Sequence, residues 1–355
     1  MANLYTPYKV FHFPRKLDSL TPGSKTITPP LHVRIKPTNI CGHHCWYCAY
    51  KADDLQLGSG MVERDQIPRE KMLEIVSDLE EMGVGAVTFS GGGDPFYYKP
   101  LLETVKRLAA GPIRFASLTN GARLSGELAD IFAHHGTWLR VSLDGWDDAS
   151  YAKYRGIRVG EYTKLMENLA AFKRLGGSCY LGISLIVDRD NAEHVEDSVK
   201  RLQDIGVDSV KVSPCITSND GKENNQYHQP FFSTVRAQLD RLQAAASDGS
   251  FELFDAYHEL DEKFDKPYGW CPYLQVLCVI GADLKVYSCQ DKAYTPEGLL
   301  GSIEHQSFSD MWLTGKDKFY HINPQRDCAH HCVANKKNLM LSEFFAADLD
   351  HSFFV

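Results

Sequence analysis

Cys41, Cys45 and Cys48 are spaced C-x3-C-x2-C in the run Asn39-Ile40-Cys41-Gly42-His43-His44-Cys45-Trp46-Tyr47-Cys48. Thiolates hold iron–sulfur cubes, and a [4Fe–4S] cube has four iron corners. Three thiolates hold three corners and leave one iron open to a small molecule. An open position is what separates a catalytic metal site from a closed structural one. Zinc is the competing metal. It expects four ligands, usually as two pairs, and no fourth ligand lies at pair spacing here. His43 and His44 lie inside the loop as further ligand types, and a structural trio of thiols is the remaining alternative.

Cys271, Cys278, Cys289, Cys328 and Cys332 fall in the last quarter of the chain, the last two as a C-x3-C pair beside His330 and His331. Four thiolates suit a structural zinc as well as a cube. Cys278 lies in an apolar strand-like run, where a buried free cysteine is ordinary. Cys179 begins a strand pattern and reads as core. Cys215 ends one. Packing under a loop is its plain reading.

The net charge of -8 argues against a general nucleic-acid binder, which needs a basic face. Lys336-Lys337 reads as a solvated patch. Met1 to Tyr5 is not a charged segment followed by an apolar run, as a signal peptide would be, and no run approaches a membrane span. Ten cysteines without such a signal point to metal or redox chemistry in a reducing compartment. A cytoplasmic protein with neither nucleic-acid nor membrane partner is expected.

The elements that must position these residues alternate from Leu31 to Cys215. Strand patterns cover His32 to Pro37, Ala86 to Ser90, Arg114 to Thr119, Trp138 to Leu143, Tyr180 to Val187 and Ser209 to Ser213. Amphipathic helix patterns cover Lys71 to Leu79, Leu101 to Leu108, Leu128 to His134, Tyr162 to Leu175 and Val195 to Ile205. Gly83, Gly111, Gly136, Gly176 and Gly206 follow helix ends, where a left-handed cap favours glycine. Six βα units in sequence predict a parallel sheet with right-handed crossovers. Residues 216–229 read as a polar loop, Phe231 to Ala246 as a helix, and Leu274 to Ser288 as a β-hairpin turning at Gly281-Ala282-Asp283.

Short polar groups follow the strands. Ser90-Gly91-Gly92-Gly93-Asp94-Pro95 follows the second, and its glycines let backbone approach a ligand closely; a plain turn is the alternative. Thr119-Asn120-Gly121 ends the third strand and Ser142-Leu143-Asp144-Gly145 the fourth. Such groups at strand C-termini can bind a ribose or carboxylate, and Asn-Gly and Asp-Gly are also strong turn formers. Arg155, beyond the fourth strand, could clamp a carboxylate or form a surface salt bridge.

C-x3-C-x2-C with Tyr47 before the last cysteine resembles the radical S-adenosylmethionine (radical SAM) superfamily, and the later motifs agree over about Leu31 to Asn335. The resemblance implies that a [4Fe–4S] cluster on Cys41, Cys45 and Cys48 binds S-adenosylmethionine (SAM). One electron then cleaves SAM to methionine and a 5′-deoxyadenosyl radical, which removes a hydrogen atom from the substrate. It implies a partial (β/α)6 TIM-type barrel over 31–250, after an N-terminal extension over 1–30. Gly91, Gly92, Gly93 and Asp94 match the family's Gly-Gly-Glu-Pro segment, with Asp94 in place of glutamate. Tyr47, Asn120, Ser142, Asp144 and Arg155 become candidate SAM contacts.

The hairpin with flanking cysteines and the later pair resembles the SPASM and twitch auxiliary-cluster extensions, giving a small C-terminal α+β domain over 251–355. Two further cubes would need about seven or eight thiolates. One auxiliary [4Fe–4S] cluster is therefore expected, on Cys271, Cys289, Cys328 and Cys332, with Cys278 in reserve. The expected substrate is a small polar molecule such as a sugar, aminocyclitol or nucleotide-sugar, oxidised or epimerised, with Cys215 the candidate hydrogen donor for epimerisation. A peptide-modifying enzyme is the second reading. Few residues precede the first strand, which argues against a peptide-recognition domain there. An electron donor such as flavodoxin or ferredoxin is implied. An iron–sulfur carrier or scaffold is disfavoured, since it needs neither an open iron nor a glycine-rich pocket.

Overall fold

A computed structural model describes residues 5–52, 55, 57–245, 251–258, 264–351 and 353–354. The apolar runs form β1 (His32–Ile35), β2 (Ala86–Phe89), β3 (Arg114–Thr119), β4 (Trp138–Leu143), β5 (Tyr180–Val187) and β6 (Ser209–Pro214). Each pairs in parallel with the next. Before them lies α1 (Pro14–Leu20), and between them α2 (Arg69–Glu81), α3 (Leu101–Ala110), α4 (Gly126–His135), α5 (Asp148–Arg155), α6 (Glu161–Arg174) and α7 (Val195–Ile205). The helices bury one stripe against the sheet. On α2 the stripe is Met72, Ile75, Val76 and Leu79, at the three- and four-residue steps that keep one face of a helix together.

After β6 come α8 (Gly221–His228), α9 (Phe232–Ala245), β7 (Glu252–Asp255), β8 (Leu277–Ile280), β9 (Lys285–Tyr287), β10 (Leu299–Ser302), α10 (Phe308–Leu313), α11 (Pro324–Asp327) and α12 (Asn335–Ala346). Among the described residues one ten-stranded sheet forms, in the order β10-β9-β8-β1-β2-β3-β4-β5-β6-β7. It does not close, so the barrel is partial. β8 pairs in parallel with β1, and β9 turns back antiparallel. The hairpin strands therefore continue the barrel sheet. Asp78 of α2 accepts the Phe308 amide at 2.6 Å and so caps α10. Lys16 of α1, buried, donates to the Gln275 carbonyl at 3.0 Å. The N-terminal extension is thereby pinned to the segment that leads into β8. Residues 246–250, where the barrel was expected to end, lie outside the described residues, as do Met1 to Leu4 and Ala246.

Four local expectations are corrected. The stretch 216–229 is not all loop, since it holds α8. That helix has no apolar period; Asp220 caps it by accepting the Lys222 amide at 2.7 Å, and buried Asn224 accepts the Thr217 amide at 2.9 Å. Residues 272–275 form a 3-10 turn, so the first hairpin strand starts only at Leu277. A seventh parallel strand, β7, extends the sheet beyond β6. Gly83, Gly176 and Gly206 are left-handed, but Gly111 and Gly136 have φ of -106° and -66°. At Gly136 a Cβ would lie 2.6 Å from the Phe132 carbonyl oxygen, so close packing accounts for that glycine.

Candidate active site

The loop after β1 crosses the C-terminal ends of the strands and carries Cys41, Cys45 and Cys48, all partly buried. Backbone contacts hold it in place. The His44 amide donates to the Arg155 carbonyl at 2.7 Å, and the Cys48 amide to the Cys45 carbonyl at 3.1 Å. Burial pushes the Cys45 thiol up to about 11 and raises that of Cys41. Metal binding at these positions must therefore displace protons. The Cys41 sulfur accepts the His43 amide at 3.4 Å and lies 3.8 Å from Asn120 Nδ2. Buried His43 is pushed down to about 3 by burial and by Arg155, and stays neutral.

The glycine run lies against this loop. The Gly93 amide donates to the Thr38 carbonyl at 3.3 Å and the Asp94 amide to the Ile40 carbonyl at 3.0 Å. A Cβ at Gly93 would overlap the Ile40 carbonyl, which is the close approach only glycine allows. The Asp94 carboxylate is buried and faces protein. It accepts the Phe96 amide at 2.8 Å, the Asn120 amide at 2.6 Å and the Thr119 hydroxyl at 2.9 Å. It thus ties the glycine run to the end of β3.

Arg155 and Asp144 are both buried and form an ion pair, Nε to Oδ2, at 2.9 Å. The salt bridge weighed for Arg155 therefore exists, but in the interior. The Tyr47 hydroxyl donates to the same carboxylate. Burial opposes the Arg155 charge, and Asp144 with Tyr47 holds it well above the usual range. Ser142 is partly buried on the face of β4 shared with Trp138 and Arg140. Cys215 follows β6 and is 1 % exposed, and its carbonyl oxygen lies 2.7 Å from His228 Nε2 of α8.

Lys36, Tyr50, Asn39 and Tyr294 had not been singled out. Lys36 is 1 % exposed, donates to the Tyr50 hydroxyl and lies 3.4 Å from the Gly91 carbonyl. Burial, with Arg34, pushes it down to about 7. The Tyr50 hydroxyl donates to the Gln290 carbonyl at 2.8 Å, and the Tyr294 hydroxyl to Asn39 Oδ1 at 2.6 Å. These bonds join the first cysteine loop to the segment after Cys289. The available signal was the polar alternation His32, Arg34, Lys36 through an otherwise apolar strand, which marks a face not packed on helices.

A cavity of about 110 Å³ is lined by Cys271, Cys289, Cys328 and Cys332, together with Arg34 and Lys266. Cys278 is absent from it; fully buried, it sits on β8 opposite Val33. Burial pushes Cys271 to about 11 and Cys332 to about 12, and raises Cys289 and Cys328. Asn338 Nδ2 donates to the Cys271 sulfur at 3.2 Å. Lys337, expected in a solvated patch, lines the cavity instead and donates to the Tyr273 hydroxyl at 3.0 Å, because α12 turns it inward. Burial pushes Asp291 up to about 6 and His330 down to about 3.

A zinc ion with Zn–S bonds of about 2.3 Å would draw its thiolates to within roughly 4 Å of one another. Among the described residues the group whose ligand atoms lie within 4.8 Å of one another is Cys289, Asp291 and His330. Neither full cysteine set is drawn that close together. Orphaned polar atoms mark the same places. Ser90 Oγ and Arg155 Nη2 are buried without partners on the cluster-loop side, and Arg34 Nε and Ser288 Oγ beside the second cavity. The residues present fit a SAM-binding cluster on the first set and an auxiliary cluster on the second.

Residues 35–202 match the Radical SAM superfamily. GTP 3′,8-cyclase of Rhizobium leguminosarum bv. trifolii is 23 % identical over 226 residues, 62 % of this chain and 61 % of that protein. PqqA peptide cyclase of Bradyrhizobium diazoefficiens is 27 % identical over 202 residues, 56 % of this chain and 50 % of that protein. The chain thus spans about half to three fifths of the length of these curated relatives. Streptococcus suis SuiB bound to the precursor peptide SuiA shares the fold, with a TM-score of 0.60 and 18 % identity over 89 % of this chain and 72 % of SuiB. SuiB bound to SAM gives a TM-score of 0.57 at 18 % identity, over 82 % of this chain and 67 % of SuiB. No described helix is long and apolar enough to cross a membrane. With the three-cysteine loop seated at the strand ends inside the matched stretch, residues 35–202 form a radical SAM domain.

Proposed function

We propose that this chain removes a hydrogen atom from a small polar substrate, of the sugar, aminocyclitol or nucleotide-sugar kind, and thereby oxidises or epimerises it. The superfamily uses a [4Fe–4S] cluster and SAM, and the C-terminal cysteines are compatible with an auxiliary cluster. When bound, the SAM-ligating cluster supplies a 5′-deoxyadenosyl radical from SAM, given one electron from a donor such as flavodoxin or ferredoxin. In this reading Cys41, Cys45 and Cys48 hold that cluster, and Cys271, Cys289, Cys328 and Cys332 the auxiliary one. The remaining roles belong to the chain's own groups. The Gly91–Gly93 backbone, braced by Asp94 and seated on the cysteine loop, would contact SAM. Arg155 keeps Nη2 free toward it while Asp144 and Tyr47 fix the guanidinium. Asn120 steadies the Cys41 side.

The observation that carries the reading is the docking of the glycine run on the cysteine loop through the Gly93 and Asp94 amides. The polar substrate is supported by the unpacked face of the sheet. Ser142, Ser184 and Lys211 align across β4, β5 and β6, with Ser213 one step higher. Oxidation is favoured over epimerisation, because a second four-cysteine site can take an electron and Cys215 lies buried under α8. A peptide substrate is the second reading, favoured by the likeness to PqqA peptide cyclase and to the SuiB fold. Replacing Cys41, Cys45 and Cys48 together by Ala tests the function. SAM cleavage should be abolished while the auxiliary iron remains. Reductive 5′-deoxyadenosine formation at the unmodified rate would refute it.

A further inference from the structure

Arg34 belongs to the first barrel strand, yet its side chain lines the cavity of the C-terminal cysteines. Its Nε is buried without a hydrogen-bond partner. Among the described residues no carboxylate lies within ion-pair distance of it, and Asp291 and Cys289 are neighbours that favour its charge. Lys292 lines the cavity as well, near Cys328 and His330, whereas two other cations there are already bonded. Lys266 donates to the carbonyls of Phe264 (2.8 Å) and His330, and Lys337 to the Tyr273 hydroxyl. Arg34 is half-buried, and a guanidinium whose Nε–H is buried without a partner is costly, so an anion beside it would be stabilising. Four thiolates around a cube leave a net negative charge, and the cube's potential responds to nearby charge and to hydrogen bonds at its sulfurs.

We propose that Arg34 is the counter-cation of the auxiliary cluster and directs its Nε–H at that site, so that a residue of the barrel sets the potential of the C-terminal centre. The inference rests on the auxiliary cluster proposed above. A reduced cluster carries one more negative charge than an oxidised one. A fixed cation therefore stabilises the reduced form more and raises the midpoint potential. That suits a centre that accepts an electron from substrate. Arg34 acts here as a positioning and electrostatic residue, since the ligands remain the cysteines.

The test uses the full chain carrying Cys41→Ala, Cys45→Ala and Cys48→Ala, so that the auxiliary centre alone gives a signal. Iron and sulfide are counted, and the midpoint is read by an EPR-monitored redox titration. Arg34→Leu should lower the midpoint with iron content unchanged and should remove an exchangeable proton coupling from the pulsed-EPR spectrum. Arg34→Lys should recover much of the potential, and Arg34→Gln, a donor without charge, should not. An unchanged midpoint in iron-loaded Arg34→Leu overturns the proposal. If that variant takes up no iron, the comparison of Lys with Gln decides, and equal midpoints overturn it. Zinc in place of iron in the triple-Ala protein itself defeats the auxiliary-cluster reading, and this proposal with it.

Discussion

Asp94 is where the chain departs from the glutamate of the family segment, and its surroundings say what the shorter acid does. It is 4 % exposed and accepts two backbone amides, those of Phe96 and Asn120, as well as the Thr119 hydroxyl. Asp94→Ala strands both amides in the interior, at about 1–3 kcal/mol each. The Thr119 hydroxyl still accepts the Gly121 amide at 3.1 Å but loses the acceptor of its own O–H. Part of the loss is offset, because burial raises the Asp94 pKa and the charge is no longer desolvated. The expected net destabilisation is about 2–4 kcal/mol. Asp94→Asn keeps one acceptor and should cost less. Asp94→Glu adds a methylene where no space is open and should cost about 1–3 kcal/mol. Thr119→Val should cost about 1 kcal/mol alone and combine non-additively with Asp94→Ala, since the two share a bond. The assay is urea unfolding of the apo-protein, with SAM affinity measured on the reconstituted protein. An Asp94→Ala variant that unfolds within about 0.5 kcal/mol of the parent and binds SAM equally well would refute a bracing role for this carboxylate.

Three further outcomes follow from the site. Cys289→Ala or Cys332→Ala should lose about four irons per chain and product turnover while retaining part of the 5′-deoxyadenosine formation. Cys278→Ala should keep its iron, and the ligand set is wrong if Cys278→Ala loses the second cluster while Cys271→Ala keeps it. Cys45 and Cys271 are raised to about 11 and Cys332 to about 12, against about 8.5 for a free thiol. Between those values the folded apo-protein holds protons that the unfolded chain has lost, so its stability should fall as pH rises through about 8.5, and urea midpoints that rise instead would contradict this. Cluster uptake should release protons over the same range and improve with pH. For Cys215→Ala, turnover in deuterated water separates the two chemistries: solvent deuterium in the parent product, lost in the variant, indicates epimerisation, whereas an oxidised product formed equally by both removes Cys215 from the mechanism.

Much of this was legible along the chain because the signals are local. Period-2 and period-3.6 apolar patterns marked all six barrel strands to within one or two residues and five of the six helices between them; the short α5, started by the Asp147 capping box, was missed. Cysteine spacing singled out the first set, and a buried strand run set Cys278 apart from the other four C-terminal cysteines. Helix α8 was not legible, because its polar sequence is stabilised by a cap and a buried asparagine rather than by periodicity. The partners of the site residues were also out of reach. Nothing in the order of residues says that Asp144 receives both Tyr47 and Arg155, that Tyr50 bonds to Gln290, or that Lys337 turns inward. Those contacts join segments as much as 240 residues apart. The bond from Tyr50 to Gln290 exists because β8 pairs with β1, which lays the second cysteine set against the strand that leads into the first. Ligand type and spacing are written in sequence because a few neighbouring residues carry them. Countercharge, burial and the second partner of each polar group are decided only when distant strands share a sheet.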